Sequence, residues 1–206
     1  MSPTPGGMNV TITGSNLGTD PQVLVGGAVA VFDAGLSMDP SQRSTVTTST
    51  HTSLTFTMPS GQGRDLRVAV AAGNQVSGSK GSDGRPLVVS YQPPVMTTFA
   101  ITTATGAAGA GSGSGSGQCS ATPGSAFKDK ATANMPQVPT LGGECVTVFG
   151  ANFGAEIPRV LFGTYAAVIK SRDVIGHSWL TFVIPEGEGK DIDMKVIVGN
   201  QEAATK

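Results

Sequence analysis

Charge is scarce in this sequence. Asp, Glu, Lys and Arg make up 13% of its 206 residues, and the formal net charge is −1. Holding a nucleic-acid backbone takes a face of Lys and Arg, and no cluster of them occurs, which excludes nucleic acid as a partner. Nor is there a stretch of about 18 apolar residues, which excludes a helical membrane span. The opening residues, MSPTPGG, show neither the basic start nor the apolar run of a secretory leader. Leu and Glu, the common helix formers, are sparse. The two cysteines lack CxxC spacing, which argues against zinc. What the chain has in quantity is Gly, 29 residues, with 13 Pro and much Thr, Ser, Val and Ala. β-Branched residues suit a pleated, half-buried surface and Gly and Pro end it, so the composition describes short strands punctuated by turns.

The chain repeats itself. GGMNVTITGSNLGTDPQVLVGG, from Gly6, returns as GGECVTVFGANFGAEIPRVLFGT, from Gly142, at an offset of 136, with one inserted residue at Ile157. HTSLTFTMPSGQGRDLRVAVAAGNQ, from His51, returns without a gap as HSWLTFVIPEGEGKDIDMKVIVGNQ, from His177, at an offset of 126, so the second copy has the shorter middle. Two homologous domains are therefore expected.

Each copy reads as all-β. Apolar positions alternate in Asn9–Thr13 and Cys145–Phe149, in Leu54/Phe56/Met58 and Leu180/Phe182/Ile184, and in Leu66/Val68/Val70 and Ile192/Met194/Val196. Gly14 and Gly150 open turns in which Asn16 and Asn152 tolerate left-handed dihedrals, and Gly73-Asn74 and Gly199-Asn200 make hairpin turns. Several short strands at regular spacing predict sandwiches.

The run GG-x-x-VT-(I/V)-x-G-x-N-(L/F)-G, a short strand closed by Gly, LTF-x-x-P and a hairpin ending in GNQ resembles IPT/TIG domains. Members of that family are Ig-like folds of plexins, some transcription factors and many microbial surface proteins. The resemblance covers most of both copies and implies an all-β chain of two tandem Ig-like (IPT/TIG) β-sandwiches. The DNA-binding members use basic loops that this chain lacks, so the surface-protein branch is the nearer comparison.

Pro93-Pro94 marks a short Pro-rich linker, since consecutive prolines cannot donate to a ladder. It divides the chain into a first domain, 1–93, and a second, 94–206, whose first strand is Val95–Ile101. A Gly/Ser-rich insertion follows at about 102–139, of a composition that builds no core. Copy one shows no opening strand before its GG turn, and copy two shows no closing strand of the LVVSYQ type. Open edges invite pairing with another chain. Two readings stand: neighbouring repeats of a longer array, or copies joined head-to-tail by strand complementation into a filament. The assembly edge would comprise Leu87, Val89 and Tyr91 as the strand type that is missing, with Met194, Val196 and Val198 flanking the unfilled groove.

Cys119 in the insertion and Cys145 in a strand are read as a disulfide, closing a loop of about 26 residues worth about 3 kcal/mol in the chain-entropy model, with two free thiols as the alternative. Such a pair suits an oxidising, extracellular or cell-surface setting. Asn9-Val10-Thr11 is an N-glycosylation sequon, although it falls on a predicted strand. Thr47 and Thr48, and Ser112 and Ser114, sit in Ser/Thr-rich stretches of the kind that accept O-linked sugars, and ordinary β-strand threonine explains part of them equally well. His51 and His177 stand beside Ser or Thr with no nucleophile or carboxylate partner and are read as solvated turn residues. Glu186, Glu188, Asp191 and Asp193 offer the oxygen ligands calcium takes, but without loop spacing they read as a charged hairpin, so no cofactor is expected. Trp179 reads as a partly buried core residue.

No catalytic constellation emerges. The expectation is a non-enzymatic extracellular structural module, a glycosylated subunit of a surface fibre or stalk whose main partner is itself. Its alternatives are an adhesin or receptor ectodomain that binds protein or glycans through its loops, and an accessory domain of a polysaccharide-degrading enzyme.

Overall fold

The computed structural model describes residues 1–26, 43–73, 75–78, 80–102, 119, 128–129, 138–190 and 192–203, and the regular elements among them are all strands. The chain divides into two units, Met1–Gln92 and Pro93–Lys206.

Unit 1 contains β1 (Asn9–Thr13), β2 (Gln22–Val25), β3 (Arg43–Ser49), β4 (Ser53–Thr57), β5 (Leu66–Ala72), β6 (Gln75–Val76) and β7 (Val88–Val89). They pair in the order β1-β4-β3-β2-β5-β6, with β7 also on β5. β3 serves both layers. Arg43 and Ser44 pair with Leu24 and Val23 of β2, while Thr45–Ser49 pairs with β4 across a bulge between Val46 and Thr48. A bulge bends its strand and adds twist, which carries β3 from one layer to the other. The layers enclose Val23, Leu54, Phe56, Met58, Val70 and Tyr91, among others. Full burial of such a side chain contributes roughly 1.5–3 kcal/mol. The alternation predicted for Leu54/Phe56/Met58 is what sends these three inward, leaving Ser53, Thr55 and Thr57 half-buried.

Unit 2 contains β8 (Val95–Thr102), β9 (Lys128–Asp129), β10 (Cys145–Ala151), β11 (Arg159–Phe162), β12 (Tyr165–Arg172), β13 (Trp179–Val183), β14 (Met194–Val198) and β15 (Gln201–Glu202), paired in the order β15-β14-β11-β12-β13-β10-β8-β9. The crossing is repeated in β12: Tyr165–Ala167 pairs with β11, and Val168–Arg172 pairs with β13 across a bulge between Ile169 and Ser171. Its core holds Val146, Val148, Phe153, Leu180, Phe182 and Val196.

The repetition extends to individual hydrogen bonds. Gly7 N donates to Met58 O at 2.9 Å, as Gly143 N does to Ile184 O at 3.0 Å; Leu17 N donates to His51 O, as Phe153 N does to His177 O, each at 3.0 Å. The paired glycines have a steric cause. Gly6 and Gly142 hold φ of +84° and +65°, and a Cβ there would lie 2.5 Å from the carbonyl oxygens of Pro59 and Ile184. Only glycine fits such a place. Asn16, Asn152 and Asn200 take the left-handed conformation, at φ 58°, 63° and 63°. Asn74, the counterpart of Asn200, lies outside the described residues.

Three readings of the sequence change. The repeat begins earlier than the GG turn: Gly6 N donates to Pro3 O and Gly61 N to Thr4 O, matched by Gly142 N to Pro139 O and Gly187 N to Thr140 O, all at 2.9 Å. His177 is not a solvated turn residue; it is 1% exposed, in contrast to its exposed counterpart His51. Within the interval 102–139, Lys128–Asp129 pairs with Thr98–Phe99 of β8, because β8 offers a free ladder on the side away from β10.

Candidate functional site

Two copies of one sandwich allow each edge to be compared with its counterpart. β10 is hydrogen-bonded on both sides, to β13 and to β8, and Cys145, Val146, Thr147 and Val148 are all buried. β1, the same strand of unit 1, pairs with β4 alone among the described residues, and Asn9, Thr11 and Thr13 are exposed. The side chains themselves barely differ. Thr11 and Thr55 share a hydroxyl–hydroxyl hydrogen bond of 2.9 Å in the open, and Thr147 and Thr181 share one of 2.8 Å under cover.

The second difference lies on the opposite layer. In unit 1 the segment Leu87–Gln92 runs between two walls. On one side β7 pairs with Leu66 and Arg67, and Val68 N donates to Leu87 O at 2.9 Å. On the other, Ser2 bridges Tyr91 in parallel: Ser2 N donates to Ser90 O at 3.0 Å and Gln92 N to Ser2 O at 2.7 Å. Tyr91 closes the arrangement. It is buried, its ring lies against Gly61, and its hydroxyl donates to Pro59 O at 2.8 Å. Burial pushes its phenol up to about 12.

Unit 2 has both walls and, among the described residues, nothing between them. Val138–Thr140 stands where Ser2–Thr4 stands, held by Thr140 O to Gly187 N at 2.9 Å, and Ile192–Met194 stands where Leu66–Val68 stands. Ser2, Thr4, Gly63 and Val68 are buried; their counterparts Val138 and Met194 are half-buried, and Thr140 and Gly189 are exposed.

One family profile, the IPT/TIG domain, matches residues 1–85 and 134–206. The chain belongs to the IPT/TIG domain family. No curated protein matches it. Among solved structures, it is similar to the surface glycan-binding protein PbSGBP-B from Prevotella bryantii, at 13% identity and a TM-score of 0.43, over 95% of this chain and 35% of that one. It is also similar to SGBP-B from a complex xyloglucan utilization locus in Bacteroides uniformis, at 16% identity and a TM-score of 0.33, over 98% of this chain and 45% of that one. A third is the full extracellular region of plexin A4, at 16% identity and a TM-score of 0.32, over 97% of this chain and 14% of that one. This chain thus spans less than half the length of each.

The sequence-derived candidates scatter over the two IPT/TIG units. Cys119 and Cys145 form a disulfide with a Cα–Cα distance of 5.6 Å, its Cys145 end buried. Asn9 is exposed on β1, where its Oδ1 accepts from the Thr57 hydroxyl at 3.1 Å. Thr47 and Thr48 are exposed at the β3 bulge, and Thr47 Oγ1 donates to Thr55 O at 3.1 Å. Ser112 and Ser114 lie outside the described residues. Leu87 is 36% exposed, Val89 half-buried and Tyr91 buried, all three seated in unit 1. Val196 and Val198 are core residues; β15 pairs with Ile197 and Val198, and Ala203 N donates to Val196 O at 2.8 Å. Among the described residues, the stretch of that edge with no strand beside it is therefore Ile192–Met194. Among the described residues no three His, Cys, Asp or Glu gather as metal ligands, and Asp191 of the acidic hairpin lies outside them. Among the described residues no helix is long and apolar enough to cross a membrane.

The turn between β12 and β13 is held by its own hydrogen bonds. Asp173 accepts from the Ser178 hydroxyl at 2.6 Å and from the backbone of Ile175, Gly176 and Ser178, and these bonds, led by Ser178, hold its carboxyl near 2. Burial depresses the His177 imidazole below its ordinary value. Arg172 donates to Gly154 O at 3.1 Å and Ala155 O at 2.7 Å, tying this turn to the loop after β10.

Proposed function

We propose that this chain is a non-enzymatic extracellular structural module, a link in a surface fibre or stalk whose units join head-to-tail by lending strands to one another's incomplete Ig-like sandwiches. The observation that carries this reading is the edge of β1 that no strand covers among the described residues, set beside β10, which is paired on both sides. Proteins blunt such edges with Lys, Pro or a covering segment, and the β1 sequence NVTIT contains neither residue. The second stretch without a partner strand among the described residues, Ile192–Met194, belongs to the other layer of the other unit. A contact between copies would then join two different surfaces, and a heterologous contact that does not close on itself propagates as a filament. The disulfide supports an oxidising compartment.

Light scattering and negative-stain microscopy of the purified chain over a concentration series test the assembly. Growth into filaments is expected, and a folded monomer at every concentration overturns the head-to-tail mechanism. One observation favours the alternative of an adhesin that binds through its loops. Ile157, Val174 and Ile175 are 73%, 62% and 84% exposed on the two loops that Arg172 joins. Glycan-array or cell-surface binding that an Ile157→Ser/Ile175→Ser double variant abolishes would support that reading.

A further inference from the structure

We infer that His177 is a pH-sensitive latch on the paired loops of unit 2: neutral, it holds the β12–β13 turn shut, and taking a proton opens that turn and displaces its apolar tip. The latch stands on the geometry of the turn, while its consequence for binding rests on the loop-binding alternative given above. The internal repeat isolates what is particular to this turn. Thr50 N donates to Ser53 O at 2.7 Å, as Asp173 N does to Trp179 O at 2.9 Å, so the two turns have the same ends. Between the residues that pair, Ser49 with Leu54 and Arg172 with Leu180, unit 1 has four residues and unit 2 has seven. The three additional residues are Val174, Ile175 and Gly176, directly ahead of the histidine. His51, which lacks them, is exposed; His177 is buried, and its imidazole donates to the Val174 carbonyl. The added residues and the histidine thus hold one another, with Val174 and Ile175 left 62% and 84% exposed as the tip.

The closed turn suits a neutral imidazole and opposes a charged one. His177 takes a left-handed φ of 52°, a conformation that persists only where the surroundings hold it, and its carbonyl accepts from Phe153 N at 3.0 Å. Arg172, standing where unit 1 has Ser49, donates to Gly154 O and Ala155 O and so keeps the two loops together. An imidazolium in this place would be a buried cation with a guanidinium close by. Burial depresses the imidazole most and Arg172, at the end of β12, adds to it, while the Val174 carbonyl and Asp173 in its own turn oppose them. The loop after β10 meets His177 through Phe153 N, and that loop's acid, Glu156, is exposed. Asp173, with its carboxyl near 2, keeps its charge throughout the mildly acidic range and is not the trigger. Relief comes by swinging the imidazole into water, which breaks the Phe153 bond and takes Val174 and Ile175 with it.

Amide hydrogen exchange of the full chain at pH 7 and pH 5, corrected for the pH dependence of free peptides, tests the latch without any substitution. The repeat supplies the control, because Leu17 N bonds His51 O as Phe153 N bonds His177 O. Protection of the Phe153 amide should fall at least ten-fold at pH 5, while that of Leu17, and of Val148 within β10, holds. An unchanged Phe153 amide, or an equal fall at Val148, overturns the latch. Emission of Trp179, two residues along the chain, should shift with a midpoint below pH 6.5 and lose that shift in His177→Gln; a shift retained in the folded variant overturns it as well. The glycan array, run at both pH values, separates the two readings. Binding at pH 7 that is lost at pH 5 supports both. Binding at neither pH, with Phe153 released at pH 5, keeps the latch and counts against the loop reading; equal binding at both, with Phe153 released, overturns the latch as a control on binding.

Discussion

Replacing Tyr91 by Phe isolates one hydroxyl in a buried setting. The ring is 1% exposed and its hydroxyl donates to Pro59 O at 2.8 Å. Phe retains the ring packing and loses that bond, leaving a half-buried carbonyl without its donor, a loss of about 1–2 kcal/mol. In a domain of this size each kcal/mol shifts the melting temperature by about 4–8 °C, so the unit 1 transition should fall by about 4–16 °C. Tyr91→Ala also empties the ring site and should cost about 3–5 kcal/mol. The phenol adds a pH signature. Burial raises it from 10.0 to about 12 in the fold, so folding favours its protonated form. That contribution is complete below pH 10 and is lost as pH rises toward 12. Calorimetry at pH 8, and at steps from pH 10 to 12, gives the stability of both variants. Fluorescence of Trp179, the one tryptophan, follows unit 2 separately and serves as the internal control. A Tyr91→Phe chain with an unchanged melting temperature and an unchanged alkaline slope would refute the role assigned to the hydroxyl.

Three further outcomes are expected. Cys119→Ser opens a 26-residue loop and should lower the stability of unit 2 by about 3 kcal/mol, seen as an earlier Trp179 transition and reproduced in wild type by reductant. Gly142→Ala combines a left-handed backbone with a carbonyl oxygen 2.5 Å from the new Cβ, and should destabilise unit 2 by about 2–5 kcal/mol, measured by urea titration. The depressed His177 imidazole binds its proton less readily in the fold than in the unfolded chain, so its contribution is whole above pH 6.5 and declines as pH falls below that value; His177→Gln should flatten this limb of a stability–pH curve.

The strands were legible because their signals are local. Alternation in Leu54/Phe56/Met58 and Leu180/Phe182/Ile184, turn residues such as Gly199-Asn200, and the repeat itself each state a strand or a boundary. The edge asymmetry, β1 paired on one side and β10 on both among the described residues, was legible only in outline, in the different segments that precede and follow the two copies. The two-walled groove was not, because its second wall, Val138–Thr140, lies 54 residues from Met194 in sequence and is set by a single backbone bond to Gly187. A signal existed in the Pro-Thr-x-Gly-Gly spelled twice, at Pro3 and Pro139, which carries the repeat past the GG turn. His177 misled because Ser and Gly neighbours describe a turn but not what packs over it. Its carbonyl accepts from Phe153 N just as that of exposed His51 accepts from Leu17 N, and the difference between the two is the left-handed φ of 52° at His177.

The two copies also bear on whether β1 could be covered at all. Covering an edge strand buries its outer face, and buried hydroxyls without partners would oppose it. β10 shows the covered state: Thr147 and Thr181 are buried and satisfy one another at 2.8 Å. β1 and β4 carry the same pair, Thr11 and Thr55, already joined at 2.9 Å with Thr11 exposed and Thr55 half-buried. A strand laid beside β1 therefore strands neither hydroxyl, and no charged residue of β1 has to be desolvated. Thr11→Lys reverses this condition. The new ammonium is solvated in the open unit, so stability should move by no more than about 0.5 kcal/mol. Beside a docked strand the same ammonium would lose water without gaining a partner, so filament growth should stop. Light scattering of the variant against wild type decides it: growth at the wild-type rate would mean that β1 is not an edge used in assembly.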